Sequence, residues 1–310
     1  MLSELRNLPA PAKLNLFLHV TGRRADGYHL LETVFQFIDL QDSLDLRLRD
    51  DGAVHRDAPT DDIPPETDLT IRAANALKAA TGCRLGVDIG LRKRIPVGAG
   101  MGGGSSDAAT VLLGLNRLWR LALERRQLIE IARPLGADVP IFVFGHNAYA
   151  TGIGDRFRRI RLPPRWFVLV MPPVSVATQG VFSDPKLTRD SKPITILGFS
   201  DQAPALGGRN DLQAVVLARE PAVGAALEAL KVEAGVCNED DAGIEAGDAN
   251  IAKVAVASVR MTGSGACVFA ALDSFEKAQE TALRVLRHNV GTVRVVAGLA
   301  EHPLGSRQVG

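Results

Sequence analysis

The residues best suited to chemistry lie in one short segment, residues 96–109, which reads PVGAGMGGGSSDAA. Glycine has no Cβ atom, so the backbone can turn sharply there and bring its N–H groups close to a ligand. The segment leads into residues 108–119, whose apolar positions recur at helical spacing. The first N–H groups of such a helix, together with its dipole, place partial positive charge at the same point. Residues 96–106, the glycine-rich loop, therefore predict a phosphate site, and a nucleotide is the first candidate ligand.

Two familiar nucleotide-binding patterns compete for this loop. The Rossmann pattern G-x-G-x-x-G is matched by Gly98, Gly100 and Gly103. That pattern also needs an acidic residue about 20 positions further on, at the end of a second strand. Glu124 has the spacing, but it lies in a segment with helical periodicity, which argues against a Rossmann site. The Walker pattern nearly fits residues 98–105, but Gly104 stands where its lysine belongs, so we exclude it.

Two interpretations of the loop remain. One is an anion-binding loop of another type, built from backbone N–H groups and the hydroxyls of Ser105 and Ser106, either of which can also cap the helix. The other is a flexible linker, since segments rich in glycine and serine often serve that purpose. A linker is not expected to run straight into an apolar-periodic helix, so the pattern favours the anion-binding loop.

Two charged side chains elsewhere could act on a phosphorylated ligand. Lys13 and Asn15 alternate with apolar neighbours and so share one face of a predicted strand. Periodicity alone favours a partly covered surface lysine over a site residue. Asp138 enters an apolar run, where a carboxylate is costly to bury without a partner. Because Pro140 follows in what would be the first helical turn, a helix N-cap explains Asp138, taken alone, better than a site does.

Two further segments suit a flat ligand or a close backbone approach. Tyr28 and His29 follow a glycine-containing turn, where they could stack on and hydrogen-bond a planar group or be ordinary loop residues. Residues 261–267 form a second run of small residues, MTGSGAC, between two predicted strands. That run is either a hairpin turn or a platform behind the glycine-rich loop, where small side chains permit close backbone approach.

These residues need a framework of alternating strands and helices. The predicted strands are residues 13–20, 33–38, 42–49, 85–91, 165–171, 258–261 and 267–272. The predicted helices are residues 69–80, 108–119, 123–134, 211–219, 222–231 and 274–288. This order indicates an α+β or α/β chain without a fixed repeat. We place a domain boundary near residue 160, which divides the chain into residues 1–160 and 161–310.

Composition excludes several classes of function. With 310 residues, 46% of them hydrophobic, the chain can form a sizeable core. A net charge of +1 gives no general attraction to nucleic acid or to a membrane surface. The three cysteines are scattered, and no signal or membrane segment is visible, so we expect a cytoplasmic protein. Residues 235–250 are acidic and glycine-rich, which favours a solvated insertion over a divalent-ion site, because the EF-hand spacing is absent.

Taken together, the motifs resemble those of the GHMP superfamily, named for galactokinase, homoserine kinase, mevalonate kinase and phosphomevalonate kinase. They are PAKLNL at residues 11–16, the glycine-rich loop, and TGSGA at residues 262–266, in the same order. Residues 23–29, 136–140 and 178–185 look like those of the 4-diphosphocytidyl-2-C-methyl-D-erythritol kinase family. The resemblance implies a two-domain α+β fold. Its N-terminal domain would be ribosomal-S5-like and its C-terminal domain ferredoxin-like, with the active site in the cleft between them.

The resemblance also implies a reaction. Members of that family phosphorylate a hydroxyl of a cytidine-diphosphate-linked methylerythritol, giving the 2-phosphate, with ATP and Mg²⁺ on the non-mevalonate route to isoprenoids. By position, Asp138 would be the general base and Lys13 its charge partner, because a nearby positive charge favours the carboxylate. The residues expected at the ATP phosphates are Pro96, Val97, Gly98, Ala99, Gly100, Met101, Gly102, Gly103, Gly104, Ser105 and Ser106. Mg²⁺ would meet Ser105 or Ser106, directly or through water.

The same resemblance assigns the substrate contacts. Asn15, Tyr28 and His29 would meet the substrate, and His29 would read the cytosine edge. Phe182 would stack on the base, and Thr178 would lie near the reacting end.

Other functions and two departures from the family pattern stay open. One alternative is a related kinase for a mevalonate- or homoserine-like alcohol, but Tyr28, His29 and Phe182 favour a substrate that carries a nucleobase. A catalytically silent nucleotide-binding regulator is disfavoured because Lys13 and Asp138 are both present. Residues 232–256 are longer and more acidic than the family pattern, and Asp68 stands where asparagine is more usual on the adenine side.

Overall fold

The computed structural model describes residues 2–57, 64, 66–193, 208–236 and 259–305. Its strands are β1 (Glu4–Arg23), β2 (His29–Arg49), β3 (Val54–Arg56), β4 (Gly86–Arg92), β5 (Ala148–Thr151), β6 (Arg156–Arg159), β7 (Trp166–Met171), β8 (Val259–Met261), β9 (Val268–Leu272) and β10 (Thr292–Ala297). Its helices are α1 (Leu69–Thr81), α2 (Gly103–Leu118), α3 (Arg125–Ala132), α4 (Val139–Phe144), α5 (Thr178–Phe182), α6 (Gln213–Arg219), α7 (Pro221–Ala234) and α8 (Phe275–Leu286). The predicted acidic insertion lies outside the described residues except for residues 235–236.

The first sheet is built around two long antiparallel strands. It has the order β3-β4-β2-β5-β6, and β1 pairs with β2. Alternating apolar residues of β1 and β2 face α2, and α1 packs on α2 and β3 in the same hydrophobic core. On α2, Val111, Leu112 and Leu115 are fully buried, and burial of each such side chain contributes about 1.5–3 kcal/mol. The helix that follows the glycine-rich loop is therefore anchored by its apolar stripe.

No strand of the described residues pairs with the other edge of β1, and its N–H groups bind loops instead. The N–H of Lys13 donates to Met101 O at 3.0 Å, and the N–H of Asn15 donates to Thr262 Oγ1 at 2.9 Å. Further along, the N–H of Val20 donates to Asp211 Oδ2 at 2.7 Å. These bonds satisfy backbone donors that burial would otherwise leave unpaired. They also hold the loops of both halves of the chain against one strand.

The second sheet has the order β10-β7-β9-β8, and all its strand pairs are antiparallel. In chain order it reads strand, helices, strand, strand, helix, strand, which is the ferredoxin-like arrangement. Helices α7 and α8 pack on this sheet. The two-domain α+β fold expected from the motifs is thus confirmed.

The two sheets share a core and a crossing tail. Leu14 and Leu16 of β1 belong to one buried cluster with Phe167, Leu169 and Phe269 of the second sheet. After β10 the chain returns to the first sheet, where the N–H of residue 299 donates to residue 37 and residue 302 lies fully buried. The change of sheet between β6 and β7 supports the boundary we propose between residues 160 and 161, although residues 298–305 pack on the first unit. None of the described helices combines the length and hydropathy needed to span a bilayer.

Candidate active site

A cleft of about 480 Å³ opens where the two sheets meet. Its walls come from β1, the glycine-rich loop, the start of α4, the start of α5 and the loop between β8 and β9. The predicted site residues that line it are Lys13, Asn15, Pro96, Val97, Gly98, Ala99, Gly100, Met101, Gly102, Gly103, Gly104, Ser105, Asp138, Thr178 and Phe182. Tyr28, His29 and Ser106 are not among its lining residues.

The ammonium group of Lys13 is buried, with 3% of the side chain exposed. Its Nζ donates to Asn15 Oδ1 at 2.6 Å and to Gly100 O at 3.0 Å, and it lies 3.2 Å from Asp138 Oδ2. A buried cation is tolerated only with such acceptors, and here three of them match its three N–H bonds. Lys13 is therefore a fixed charge in the wall of the cleft, and the surface interpretation is wrong.

Asp138 occupies the N-cap position of α4, but its side chain makes no capping hydrogen bond. The carboxylate is instead directed to Lys13, and 35% of the side chain is exposed at the cleft. Pro140 in the first helical turn starts this short helix without help from the side chain. The geometry thus rejects the cap and leaves a carboxylate that a ligand can reach.

The glycine-rich loop turns its carbonyl groups toward the protein. The carbonyl of residue 98 accepts hydrogen bonds from the N–H groups of Val176 and Ala266, and that of residue 99 accepts from the N–H of Cys267. The carbonyls of residues 100 and 101 accept from Lys13, through its Nζ and its backbone N–H respectively. The carbonyl of residue 102 accepts from an N–H within the first turn of α2. By contrast, the N–H groups of Gly103, Gly104 and Ser105 donate no hydrogen bond within the described ranges. The first turn of α2 therefore presents free donors at the cleft, as an anion site requires.

Glycine is required at two positions of this loop. Gly100 has a φ of +73°, and a Cβ built on it would lie 2.4 Å from Thr262 O. Gly102 has a φ of +72° and is the N-cap of α2, which has no side-chain cap. The prediction that Ser105 or Ser106 caps the helix is therefore wrong, because the helix already begins at Gly103.

The loop between β8 and β9 lies directly behind the glycine-rich loop. Thr262 accepts from the backbone of β1, and Ser264 Oγ lies 2.7 Å from Thr178 Oγ1. A Cβ on Gly263 would lie 3.3 Å from Lys13 Nζ and 2.6 Å from Gly100 O. The segment both connects two antiparallel strands and packs against Lys13, so the two interpretations of it are compatible.

The two serines of the loop have different environments. Ser105 lines the cleft, whereas Ser106 is fully buried and its hydroxyl donates to Pro11 O at 2.7 Å. Of the two serines, Ser105 is therefore the one that a ligand in the cleft can reach, while Ser106 ties α2 to β1.

A second patch of possible ligand contacts surrounds Phe182. The rings of His29 and Phe182 lie 5.1 Å apart between centroids, with an interplanar angle of 34°. Burial, followed by the positive charges of Arg189 and Arg23, lowers the pKa of His29 below its usual value. Tyr28 is 60% exposed, so its side chain contributes no closed wall in this structure.

Sequence reasoning missed a charged cluster at the cleft, formed by Lys93, Asp42 and Asp107. Lys93 Nζ lies 2.7 Å from Asp107 Oδ2 and also donates to Asp42. Burial opposes the charge of Lys93, but Asp107 and Asp42 outweigh it and raise the pKa of the ammonium. Burial raises the pKa of Asp107 to about 7, although Lys93 acts in the opposite direction. The signal in the sequence that could have pointed to this cluster was the position of Asp107, directly after the two serines of the loop.

One oxygen of Asp107 has no hydrogen-bond partner among the described residues. Asp107 Oδ1 is buried and accepts no hydrogen bond within the described part of the chain, yet Asp107 lines the cleft. Burying a carboxylate oxygen without a hydrogen-bond donor is energetically unfavourable, so this oxygen is suited to coordinate a cation.

Asp68 also lines the cleft. It caps α1 by accepting from the N–H of Thr70 at 2.8 Å, and it pairs with the buried guanidinium of Arg56. These partners account for an aspartate at this position and engage both of its carboxylate oxygens within the protein.

A second cluster of possible metal ligands, two carboxylates and an imidazole, lies outside the cleft. His55, Asp57 and Asp88 bring ligand atoms within 4.8 Å of one another. Asp88 already accepts from Arg47 and Arg49 at 2.8 Å, and none of the three residues lines the cleft. This group is adequately explained as a surface ion-pair network.

Comparison with known proteins adds to this geometry. Residues 68–146 match the family described as GHMP kinases N terminal domain. The chain is 50% identical over 302 residues to 4-diphosphocytidyl-2-C-methyl-D-erythritol kinase of Ralstonia pickettii, covering 97% of this chain and 96% of the relative. It is 49% identical over 307 residues to the enzyme of the same name from Burkholderia pseudomallei, covering 97% and 96%.

Solved structures are similar over the same extent. A crystal structure of 4-(cytidine 5'-diphospho)-2C-methyl-D-erythritol kinase matches with a TM-score of 0.72 and 30% identity, covering 95% of this chain and 98% of that one. Homoserine kinase from Cytophaga hutchinsonii matches with a TM-score of 0.64 at 16% identity, covering 97% and 96%, which indicates a shared fold.

Proposed function

The chain belongs to the 4-diphosphocytidyl-2-C-methyl-D-erythritol kinase family of the GHMP kinases, and we propose that Lys13 and Asp138 carry out its reaction. The protein is an ATP-dependent kinase that phosphorylates a hydroxyl of 4-diphosphocytidyl-2-C-methyl-D-erythritol, giving the 2-phosphate on the non-mevalonate route to isoprenoid precursors. The observation that supports the assignment of residues is the 3.2 Å contact between a buried ammonium and a reachable carboxylate, beside a loop with free N–H groups.

Phosphoryl transfer needs positioning and charge stabilisation more than covalent participation of the protein. We propose that Asp138 accepts the proton of the substrate hydroxyl while the hydroxyl oxygen bonds to the γ-phosphorus of ATP. The bond from that phosphorus to the bridging oxygen breaks, and ADP leaves. Lys13, held by Asn15 and the carbonyl of Gly100, stabilises the carboxylate before the transfer and the charge of the moving phosphoryl group during it.

The start of α2 is assigned to the ATP phosphates. The free N–H groups of Gly103, Gly104 and Ser105 can each donate to a phosphate oxygen, and the helix dipole acts in the same direction. Because the carbonyl oxygens of the preceding loop are engaged by the protein, they do not oppose an anion there.

The residues present fit Mg²⁺. The unpartnered Oδ1 of Asp107 and the hydroxyl of Ser105 are hard oxygen ligands on one wall of the cleft, and they would hold the ion together with phosphate oxygens. When bound, Mg²⁺ neutralises charge on the phosphates. Asp107 also keeps Lys93 in place beside the loop.

The substrate's base is assigned to the patch around Phe182. Stacking on Phe182 together with hydrogen bonding by His29 suits a nucleobase, and a mevalonate- or homoserine-like alcohol has no planar ring to stack. This patch is the reason to prefer a cytidine-diphosphate substrate, with Thr178 and Asn15 nearer the reacting end.

The test is a substrate panel. The full chain is incubated with Mg-ATP and 4-diphosphocytidyl-2-C-methyl-D-erythritol, mevalonate or homoserine, and ADP release is followed. We expect turnover with the cytidine-diphosphate substrate alone. Turnover with mevalonate or homoserine instead would replace the proposal by the related kinase, and ATP binding without turnover of any alcohol would favour a silent regulator.

A further inference from the structure

The side chain of Arg189 joins the two residues assigned to the nucleobase. Its Nε donates to His29 Nε2 at 3.1 Å. Its terminal nitrogens donate to the carbonyl oxygens of Leu187 at 3.0 Å, Phe182 at 3.1 Å and Asp184 at 2.7 Å. The guanidinium is thus held by the turn after α5 and reaches across to His29 at the start of β2. Arg189 therefore connects the side chain of His29 to the backbone of Phe182.

This contact determines which ring nitrogen of His29 carries the proton. A guanidinium has N–H donors and no acceptor, so the bond requires a lone pair on His29 Nε2. A neutral imidazole carries its single proton on the other nitrogen, which is then Nδ1. Within the described residues, the hydrogen bond of the His29 ring is the one at Nε2, so an N–H on Nδ1 is available to a ligand.

We propose that Arg189 is a positioning residue that holds His29 as the Nδ1–H tautomer and thereby makes the nucleobase site select cytosine over uracil. The inference rests on the proposed function, because it takes His29 as the residue that reads the base edge. Cytosine presents an acceptor at N3, whereas uracil presents an N3–H donor. A fixed N–H donor on His29 therefore matches cytosine at that position and opposes uracil.

Two features make Arg189 more than a surface contact. The same guanidinium fixes the carbonyl of Phe182, so the stacking ring and the histidine donor are positioned together. The positive charges near His29 also disfavour the imidazolium form, in which both ring nitrogens would donate and the bond from Arg189 would be lost.

The first experiment reads the tautomer directly. Two-bond ¹⁵N–¹H NMR correlations of the full chain, assigned with His29→Gln, report which nitrogen of His29 is protonated. We expect a proton on Nδ1 in the unsubstituted protein and a shift toward the ordinary Nε2–H form in Arg189→Met. The matched control is Arg219→Met, because Arg219 also binds this turn, at Gly180 O and the Asp184 carboxylate, without touching His29.

The second experiment measures selectivity without turnover. Calorimetry compares CDP with UDP binding to the unsubstituted protein, Arg189→Met and Arg219→Met. We expect a preference for CDP that falls about tenfold in Arg189→Met, as for loss of one hydrogen bond, and is unchanged in Arg219→Met. Binding of ATP is expected to be the same in all three proteins.

The outcomes separate this inference from the proposed function. An Nε2–H tautomer in the unsubstituted protein, or an Arg189→Met protein that keeps both the tautomer and the CDP preference, overturns the inference. CDP preference and the Nδ1–H tautomer without kinase activity would instead contradict the proposed function and support the inference. If Arg189→Met does not fold, the tautomer of the unsubstituted protein and its CDP preference still decide.

Discussion

Single residues in this cleft take their roles from their acceptors and neighbours. Burying an ammonium group without hydrogen-bond acceptors is unfavourable, and Asn15, Gly100 and Asp138 supply them for Lys13. Asp138 has the converse arrangement, since one side of its carboxylate meets a cation and the other side is open to the cleft. A nearby cation favours the ionised carboxylate, and a substrate hydroxyl can reach it, as the general-base role that we propose for Asp138 needs.

Replacing Asp138 by asparagine should remove the proton acceptor with little change of shape. We expect kcat to fall by about 10²- to 10⁴-fold, the usual contribution of a general base, while the KM for ATP stays near its original value. Steady-state kinetics with the cytidine-diphosphate substrate measure this. Near-normal turnover in Asp138→Asn would show that Asp138 is not the base.

Replacing Phe182 by alanine should weaken binding of the base and spare the chemistry. We expect the substrate to bind about 1–3 kcal/mol more weakly, the range for stacking of one base, with the KM for ATP unchanged. Substrate affinity from calorimetry is the measurement, and Leu217→Ala, which alters the same hydrophobic cluster away from the cleft, is the control. Equal affinity in Phe182→Ala and the unsubstituted protein would argue against stacking there.

At the scale of elements, the glycine-rich loop and α2 act as one unit. Most helices are capped by a polar side chain that satisfies their first N–H groups. Helix α2 begins after Gly102 without such a cap, which leaves those groups to a ligand. The loop reaches this geometry through positive φ angles and a close approach to the β8–β9 loop, neither of which a larger residue permits.

Gly100→Ala should disturb this unit strongly. The substitution puts a Cβ at positive φ, 2.4 Å from Thr262 O, so we expect a loss of about 1–3 kcal/mol in unfolding free energy and a higher KM for ATP. Gly104→Ala is the control for folding, because its Cβ would meet only Leu69 Cδ1 at 3.5 Å, within a helix. Denaturant unfolding compares the two variants, and equal stability would contradict the strain argument.

At the scale of the whole molecule, β1 is the strand to which segments from both halves of the chain bind. One of its edges pairs with β2, and its other edge holds the glycine-rich loop, the β8–β9 loop and Asp211 of the second unit. The tail after β10 then returns to the first sheet, where His302 is fully buried against Phe37. The two domains are therefore linked by shared hydrogen bonds as well as by a shared core.

His302 should make stability depend on pH. Burial, with a smaller effect of Arg125, lowers its pKa from 6.5 to about 3. Between these values the unfolded chain binds a proton that the folded chain does not, so stability falls as pH decreases from 6.5 toward 3, by at most about 1.4 kcal/mol per pH unit. Unfolding free energies of the unsubstituted protein and His302→Asn over this range measure the effect. Parallel pH profiles would show that His302 contributes nothing.

Local patterns in the sequence were sufficient for part of this description. The glycine-rich loop, the helix after it, and the common face of Lys13 and Asn15 follow from residue type and short-range periodicity, which act within a few residues. The motifs also led to the α+β fold and to the kinase family, both of which are confirmed. Short elements such as β3 and β5 carry too little periodicity to be predicted this way.

Tertiary structure decided what depends on residues far apart in the chain. From periodicity alone Lys13 was better explained as a surface residue and Asp138 as a cap, and only the tertiary structure, which brings the start of α4 next to Lys13, shows that they meet. The same holds for Lys93 with Asp42 and Asp107, and for Arg189 with His29. Spacing along the chain carries no information about such contacts, because burial and hydrogen bonding are satisfied in three dimensions. The sequence thus determined which groups are available, and the fold decided which of them act together.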